Sequence, residues 1–477
     1  MQNQPESGEA MSAISYDKIK VISPWDIQSI YELKITNKLN EHGELQLTAL
    51  ISEASGKSAG LQETITDQIQ VIIIDETNTK AIFKGRLKAV DISVTTGVYT
   101  LQASALSESS IMDEEKKSRS FQNTSLNYSD IVEKVTQDYS GKSFQLTADK
   151  VVIDGPIIQY QETDWQFIKR MASLMETVIV ADGEVQDQIF SFGYPKGKNK
   201  TLSKDIAYKS GKNIKAFYED AGYNSHLISN EYTYYEVESH DELNIGDQVT
   251  FLEYEMYVGA VTIELIQGLL VYRATLVRKM TLRQNPSYNS NIQGISLEGI
   301  ILDLQNQSVK LQLNIDQEQD EATAYWYPFV PPTTDMMYLM PQIGTNASLY
   351  IPGLKEQNAI ITGCVRSNGA SCEDTSDSNN RFMGTEYGQE LKITPGGIYL
   401  TAGRDNLILT FDDETGINIS SHKGIVMEAK EEIMIKSGKK VALNAPSQVL
   451  MNTPTSFVSM ENEMYFCAPN VHVNRNG

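Results

Sequence analysis

Residues 417–460 read INISSHKG IVMEAKEE IMIKSGKK VALNAPSQ VLMNTPTS FVSM, an eight-residue beat. Apolar or small pairs recur as Ile417/Ile419, Ile425/Met427, Ile433/Ile435, Val441/Leu443, Val449/Met451 and Phe457/Ser459. Residues two apart share one face of a strand, and a fixed period means that one structural unit is repeated. Each octad therefore reads as a short strand plus a turn. One such strand cannot bury its own face, so the octads must share a core. A single-chain, three-sided β-helix would spend about three octads per coil and end after under three coils. Three chains wound around one axis, each giving one octad per coil, make about eight layers at roughly 4.8 Å spacing. The expectation is an intertwined three-chain β-prism, with a lone β-solenoid as the alternative. Its axial packing falls to Ile417, Ile419, Ile425, Met427, Ile433, Ile435, Val441, Leu443, Val449 and Met451, and its corners to Gly416, Gly424 and Gly438.

Upstream of the octads the chain reads as β-rich modules. From Ile30 the run Tyr31, Leu33, Ile35 alternates, His42-Gly43 turns the chain, and Leu45, Leu47, Ala49 alternate again. Ile69–Ile74 leads through the polar turn Asp75–Lys80 into 81–94, and Thr95-Thr96-Gly97 closes a hairpin that returns through Val98–Ala103. Turn signals at this density indicate an antiparallel barrel or sandwich. The character then changes. Ser129 is placed to cap a helix carrying Ile131, Val132 and Val135, and Thr163 or Asp164 a second one carrying Phe167, Ile168, Met171, Leu174 and Met175. Strands at 177–181 and 188–193, joined by Asp182-Gly183, complete a small α+β insert. Strand signals resume at about Ile206 and run to Leu282, with Asn244-Ile245-Gly246-Asp247 as a turn. A five-stranded module follows, with strands expected at 299–304, 308–315, 324–329, 347–351 and 359–365.

The expected fold class is therefore mainly β. Residues 1–15 read as disordered and 16–290 as two β-barrels around an α+β insert, 118–205. An OB-fold barrel at 291–366, a polar linker at 367–385 and a triple-stranded β-helix at 386–477 complete the chain.

Forty basic against sixty-two acidic side chains leave a net charge of −22, which argues against nucleic-acid or anionic-membrane binding. Cys364, Cys372 and Cys467 have no metal-ligand spacing and no even disulfide count, as expected of a cytoplasmically made protein. The start, Met1–Ala10, lacks the basic and apolar regions of a signal peptide, and no stretch approaches 18 apolar residues. Glu162 and Asp164 are the one pair of carboxylates worth weighing as acid and base, but the helix start explains Asp164 without chemistry. The five histidines are scattered; His472 would recur three times near a trimer tip, but Val471-His472-Val473 lacks a His-x-His pair. Trp165 and Phe167 read as core anchors, and Trp326 and Tyr327 as core or trimer contacts rather than a base-stacking platform. No catalytic, cofactor or metal residues are assigned.

Two runs, Ser118-Arg119-Ser120-Phe121-Gln122-Asn123 and Tyr160-Gln161-Glu162-Thr163-Asp164-Trp165-Gln166-Phe167-Ile168-Lys169-Arg170, resemble the hub of contractile-injection spike proteins of VgrG type. The module from Glu298 to Arg366 resembles the family's OB domain through Val309-Lys310-Leu311, Pro341-Gln342-Ile343-Gly344, Tyr350-Ile351-Pro352-Gly353 and Ile361-Thr362-Gly363, and the octads resemble its needle. The resemblance implies a structural homotrimer that caps an inner tube and is driven through a target membrane by sheath contraction. Two tube-like barrels per chain would adapt a three-fold spike to a six-fold tube. Implied partners are the inner tube protein, baseplate proteins, a PAAR-type tip protein and effectors, with transient contact to the target membrane. Localisation would be cytoplasmic synthesis, assembly into the particle, and release by contraction or lysis. Some relatives carry an enzyme, yet only about twenty residues separate the OB module from the needle here, too few for a domain. A receptor- or glycan-binding β-helical tail protein is the competing class.

Overall fold

Alternation of apolar side chains builds the first sheet in the computed structural model. Its strands are β1 (Ile19–Ile22), β2 (Ile27–Lys38), β3 (Glu44–Ile51), β4 (Gln68–Asp75), β5 (Asn78–Thr95) and β6 (Val98–Ser107), in the order β1-β4-β5-β6-β3-β2. Leu33, Ile35, Leu45, Leu47 and Ala49 point into the core, while Tyr31, expected on the same face, is exposed because the β2–β3 register shifts between Ile30 and Glu32. A short α1 (Glu53–Ser58) follows β3, where the sequence reading had no element. The structure describes residues 13–473 apart from 59–67, 76–77, 183–187, 223–225, 332–338, 366–371, 373–375 and 405. Most of the expected disordered start and residues 367–371 and 373–375 of the 367–385 linker lie outside the described residues, as does Gly183 of the Asp182-Gly183 turn.

The insert comprises β7 (Lys116–Phe121), α2 (Tyr128–Thr136), β8 (Ser143–Leu146), β9 (Ile157–Thr163), α3 (Asp164–Leu174), β10 (Ile179–Ala181) and β11 (Gln188–Phe192). β7 pairs with β9, and β10, β11 and β8 form a second small sheet. Both helices turn their apolar side chains, Ile131, Val132 and Val135 on α2 and Phe167, Ile168 and Met171 on α3, into one core. The cap of α2 corrects the sequence reading: Asn127, not Ser129, holds the N-cap, because its N–H donates to Asp130 Oδ2 at 2.9 Å. Ser129 Oγ is left buried without a partner.

The second sheet half is β12 (Asn199–Thr201), β13 (Tyr208–Lys212), β14 (Thr233–Ser239), β15 (Gln248–Phe251), β16 (Tyr254–Ile266) and β17 (Leu269–Val277). Within the span expected to be all strand, Ile214–Ala221 is a helix, α4. Asn213 nucleates it by accepting from the Ala216 N–H at 3.1 Å, and Phe217 packs edge-on against Tyr232 with ring centroids 5.5 Å apart. The two halves are joined: β2 pairs antiparallel with β16, Ile35 opposite Ile263, so that one twelve-stranded sheet surrounds one continuous core.

A third core belongs to β18 (Ser296–Gln305), β19 (Ser308–Leu313), β20 (Trp326–Pro328), β21 (Asn346–Tyr350) and β22 (Ile360–Val365), in the order β20-β19-β18-β21-β22. A parallel bridge between Phe329 and Ile361 brings the two ends together. Tyr327 is fully buried in this core, and Lys310 lies over the Trp326 ring, 4.8 Å from its centroid. All five expected strands are present, with ends shifted by a few residues.

The chain divides into two compact units at Ser367/Asn368. The second unit opens with an antiparallel meander, β23 (Arg381–Gly384), β24 (Glu390–Thr394), β25 (Gly397–Ala402), β26 (Leu407–Asp412) and β27 (Gly416–Ser421). A second meander holds β28 (Val449–Asn452), β29 (Phe457–Met460) and β30 (Met464–Cys467). Between them the backbone bends at 422–423, 430–431, 438–439 and 446–447, and again at 454–455, keeping the eight-residue beat.

Candidate functional site

Both family-like runs of the insert converge on the junction with the five-stranded module. Thr163 starts α3 by accepting from the Gln166 N–H at 3.2 Å, while the Gln166 side chain accepts from the Thr163 N–H at 3.3 Å. About two turns later Arg170 points back, 3% exposed. Its guanidinium donates to Glu162 through Nε at 3.1 Å and Nη2 at 3.0 Å, to Glu356 through Nη1 at 2.9 Å and to the Ile158 carbonyl at 2.9 Å. Glu356 belongs to the module, on the turn before β22, so Arg170 ties insert to module. Burial pushes the Glu162 carboxyl above its ordinary range, against the pull of Arg170.

The run from Ser118 makes the second tie. Asp316, just past β19, accepts from the Ser120 N–H and hydroxyl at 2.6 Å each. The Gln122 amide donates to the Leu311 carbonyl at 3.0 Å, and its oxygen accepts from the Tyr325 N–H at 3.2 Å. Burial raises the Asp316 carboxyl, with the Ser120 hydrogen bonds opposing it.

Asp164 is fully buried and saturated, accepting from Lys117 at 2.8 Å, Arg119 at 2.5 Å, the Tyr139 hydroxyl at 2.7 Å and Gln159 at 2.8 Å. Glu162 and Asp164 are thus engaged in separate ion pairs, and neither is a free acid or base. Trp165 is buried against His42, ring centroids 4.3 Å apart, and Phe190. Among the described residues no group of three or more His, Cys, Asp or Glu could hold a metal, and His472 is exposed.

The octad residues stand differently. Ile417 and Ile419 lie on β27, paired in-chain with Phe411 and Leu409, and Val449 and Met451 lie on β28, opposite Met460 and Val458. Hairpin turns hold these two stretches within one chain. At the first, Asp412 Oδ1 accepts from the Glu414 and Thr415 N–H groups and Gly416 takes a φ of 87°. Gly424 and Gly438 have no such φ and have open space around them. Ile425, Met427, Ile433, Ile435, Val441 and Leu443 lie in no strand and have no strand partner among the described residues, each more than half exposed. Among the described residues of this unit only Ser459 is buried. An exposed apolar face of this length is costly in water.

The two sheet halves also repeat one another, a relation missed in the sequence reading. In chain order each half runs first, fourth, fifth, sixth, third, second strand across the sheet: β1-β4-β5-β6-β3-β2 and β12-β15-β16-β17-β14-β13. The fifth strands share a bulge, between Leu87 and Ala89 and between Val258 and Ala260. They also end in the same turn, Thr96-Gly97 with φ of 51° and 80° and Gln267-Gly268 with 50° and 79°. Aligning these turns matches Ala89, Val90, Ile92, Gly97 and Ala103 with Ala260, Val261, Ile263, Gly268 and Ala274.

Residues 36–176 match the family model of the phage tail baseplate hub (GPD). No curated protein matches the sequence. Among solved structures, the Escherichia coli c3393 protein is similar in fold, with a TM-score of 0.52, 14% identity and coverage of 73% of this chain and 100% of that one. It is described as a component of the type VI secretion system with structural similarity to the T4 bacteriophage tail proteins gp27 and gp5. The Francisella PdpA-VgrG complex, half-lidded, aligns with a TM-score of 0.48 and 10% identity over 84% of this chain and 87% of that one. The 43 kDa tail protein of prophage MuSo2 from Shewanella oneidensis aligns at 0.42 and 12% over 56% and 98%. In its hub segment and its fold the chain is similar to the baseplate-hub and VgrG-type spike proteins of contractile injection systems.

Proposed function

We propose that three copies of this chain form the hub and spike of a contractile injection apparatus. The twice-repeated six-strand unit caps the inner tube, so three chains present six units to a six-fold ring. The five-stranded module is an OB-type collar, tied to the hub through Arg170 and Asp316. The octads are the needle: their apolar pairs and unpaired backbone are covered when three chains wind about one axis, which leaves no lateral sheet edge. Unfolding one layer then requires three chains to separate together, which suits a body that transmits force. The protein is made in the cytoplasm, assembled into the particle and released by contraction or lysis; baseplate proteins, a PAAR-type tip and effectors are its partners, and the role is mechanical rather than catalytic.

The observation that carries this reading is the row from Ile425 to Leu443, uncovered in a single chain at an eight-residue beat. The test is to mix purified chain with assembled inner tube protein and view it by negative-stain electron microscopy. Three-fold bodies seated on tube ends are expected. Free particles that ignore tubes but bind a glycan array would favour an adhesin instead.

A further inference from the structure

Besides its apolar pairs, the octad stretch has a second pattern, in its charges. Lys423, Glu431 and Lys439 occupy one position of successive octads, Glu432 and Lys440 the next position, and Glu428 and Lys436 a third. Within 417–460, wherever two charged side chains stand eight residues apart they are opposite in sign: Lys423/Glu431, Glu428/Lys436, Glu431/Lys439 and Glu432/Lys440. At a spacing of sixteen the charged pair is Lys423/Lys439, alike in sign, and at twenty-four there is none.

The backbone keeps the same beat. Ser421 Oγ accepts from the Lys423 N–H at 3.0 Å, and two octads later Ser437 Oγ accepts from the Lys439 N–H at 3.3 Å and the Lys440 N–H at 3.1 Å. Lys423 and Lys439 therefore sit on equivalent bends, with Glu431 on the bend between them. All of these charged side chains are exposed, and among the described residues none has an ion-pair partner within the chain.

A spacing of eight has a physical meaning between chains. In a lone three-sided solenoid, the residue stacked on a given one comes about three octads later, where no charge answers it. When three chains share one axis, each turns a corner after every octad. The strand stacked about 4.8 Å above an octad is then the next octad of a neighbouring chain, and each residue meets the one eight further on in that neighbour. The apolar pairs do not select this alignment. Ile425/Met427, Ile433/Ile435 and Val441/Leu443 are interchangeable, so a chain slipped by one octad still stacks apolar on apolar. The charges do select it, because such a slip stacks each residue on its own copy or on the residue sixteen further on, and neither arrangement pairs opposite signs.

We propose that Glu428, Glu431 and Glu432 of each chain pair with Lys436, Lys439 and Lys440 of a neighbouring copy, and that this ladder of ion pairs sets the register in which the chains wind. The inference rests on the three-chain reading above and adds to it the residues that choose the alignment. No charged side chain lies between Val441 and Met460, so the later octads inherit their register from this ladder.

A single exposed ion pair is weak, so the test reverses two columns together. Glu428/Lys436 and Glu432/Lys440 are isolated columns, with Ser420 and Gly424 before them and Asn444 and Gln448 after them. In the full chain, Glu428→Lys with Glu432→Lys stacks lysine on lysine, and Lys436→Glu with Lys440→Glu stacks glutamate on glutamate. Each double variant should melt, as a trimer followed by light scattering in urea, about 5 °C or more below wild type at low salt. All four substitutions together should bring melting back to within about 2 °C of wild type. At about 1 M salt, where the screening length is roughly 3 Å, both losses should shrink. As a second readout, Glu432→Cys with Lys440→Cys, in a chain whose Cys364, Cys372 and Cys467 are changed to Ser, should oxidise to a covalent trimer, whereas Glu432→Cys with Gln448→Cys should not. A wild-type trimer whose double variants melt with it, whose fourfold variant does not recover, or whose Glu432→Cys/Lys440→Cys bond does not form overturns the ladder and leaves the three-chain reading standing. A wild-type monomer overturns both.

Discussion

Arg170 and Glu356, 186 residues apart in sequence, meet at 2.9 Å inside the protein, each side chain no more than 5% exposed. The guanidinium also holds Glu162, so one cation pairs with two buried carboxylates from separate parts of the fold. Replacing Arg170 by Met strands both acids. Breaking a buried ion pair from one side costs about 3–5 kcal/mol, and Arg170→Met should lose that much in urea denaturation of the full chain. A loss below about 1 kcal/mol would mean that the cluster is not what couples insert to module.

Asp316 at this junction and Asp138 within the insert set opposite pH trends. Burial raises Asp316 above its ordinary 3.8, so the folded state binds that proton more tightly than the unfolded one, and acidification towards pH 3.8 relieves a cost. Burial also opposes ionisation of Asp138, but Lys117 and Arg119 outweigh it and hold that carboxyl low. Its contribution is complete above pH 3.8 and lost as pH falls through the lower folded value. Measured by denaturation across pH 7 to 3, the stability of wild type relative to Asp316→Asn should rise on acidification. Relative to Asp138→Asn it should stay level and then fall. Two parallel curves would contradict these assignments.

Helix caps give a contrast between neighbours in type. Thr163 caps α3 through its side chain, so Thr163→Ala should cost about 1 kcal/mol. Ser129 lies inside the first turn of α2 with its hydroxyl unpartnered, and Ser129→Ala should be neutral or stabilising. Thermal melts of the two variants, run together, decide it.

In the proposed three-chain needle, Ile433→Asp would place three carboxylates near one axis. An unpaired buried charge costs several kcal/mol, so the trimer melting transition should fall well below that of wild type. The exposed-face control Lys436→Asp should melt within a few degrees of wild type. Equal melting of Ile433→Asp and wild type would refute the octad register.

What could be read from sequence was what is local. The octad beat reappears as bends eight residues apart, and Thr163 and its apolar helix face needed only a cap rule and a 3.6-residue period. The strands of the five-stranded module were found because Pro-Gly and Ile-Gly turns punctuate them. Missed features depend on partners far along the chain. The duplication rests on which strand lies beside which, and its trace in sequence is a handful of matches such as Ala89-Val90 with Ala260-Val261. α4 hides because Phe217 and Tyr218 suit a strand as well as a helix, and the packing of Phe217 on Tyr232 settles it. The roles of Arg170 and Asp316 were invisible for the same reason: their partners lie almost two hundred residues away. The hairpins that pair Ile417 and Val449 within one chain are a further departure, since turn chemistry at Asp412–Gly416 can satisfy a strand locally.

The central claim is that the chain works as three. Multi-angle light scattering of the purified full-length protein at micromolar concentration measures this most directly. The account predicts a single species of about 160 kDa, three times the 53.3 kDa chain. A species that stays at 53.3 kDa across that concentration range would contradict it.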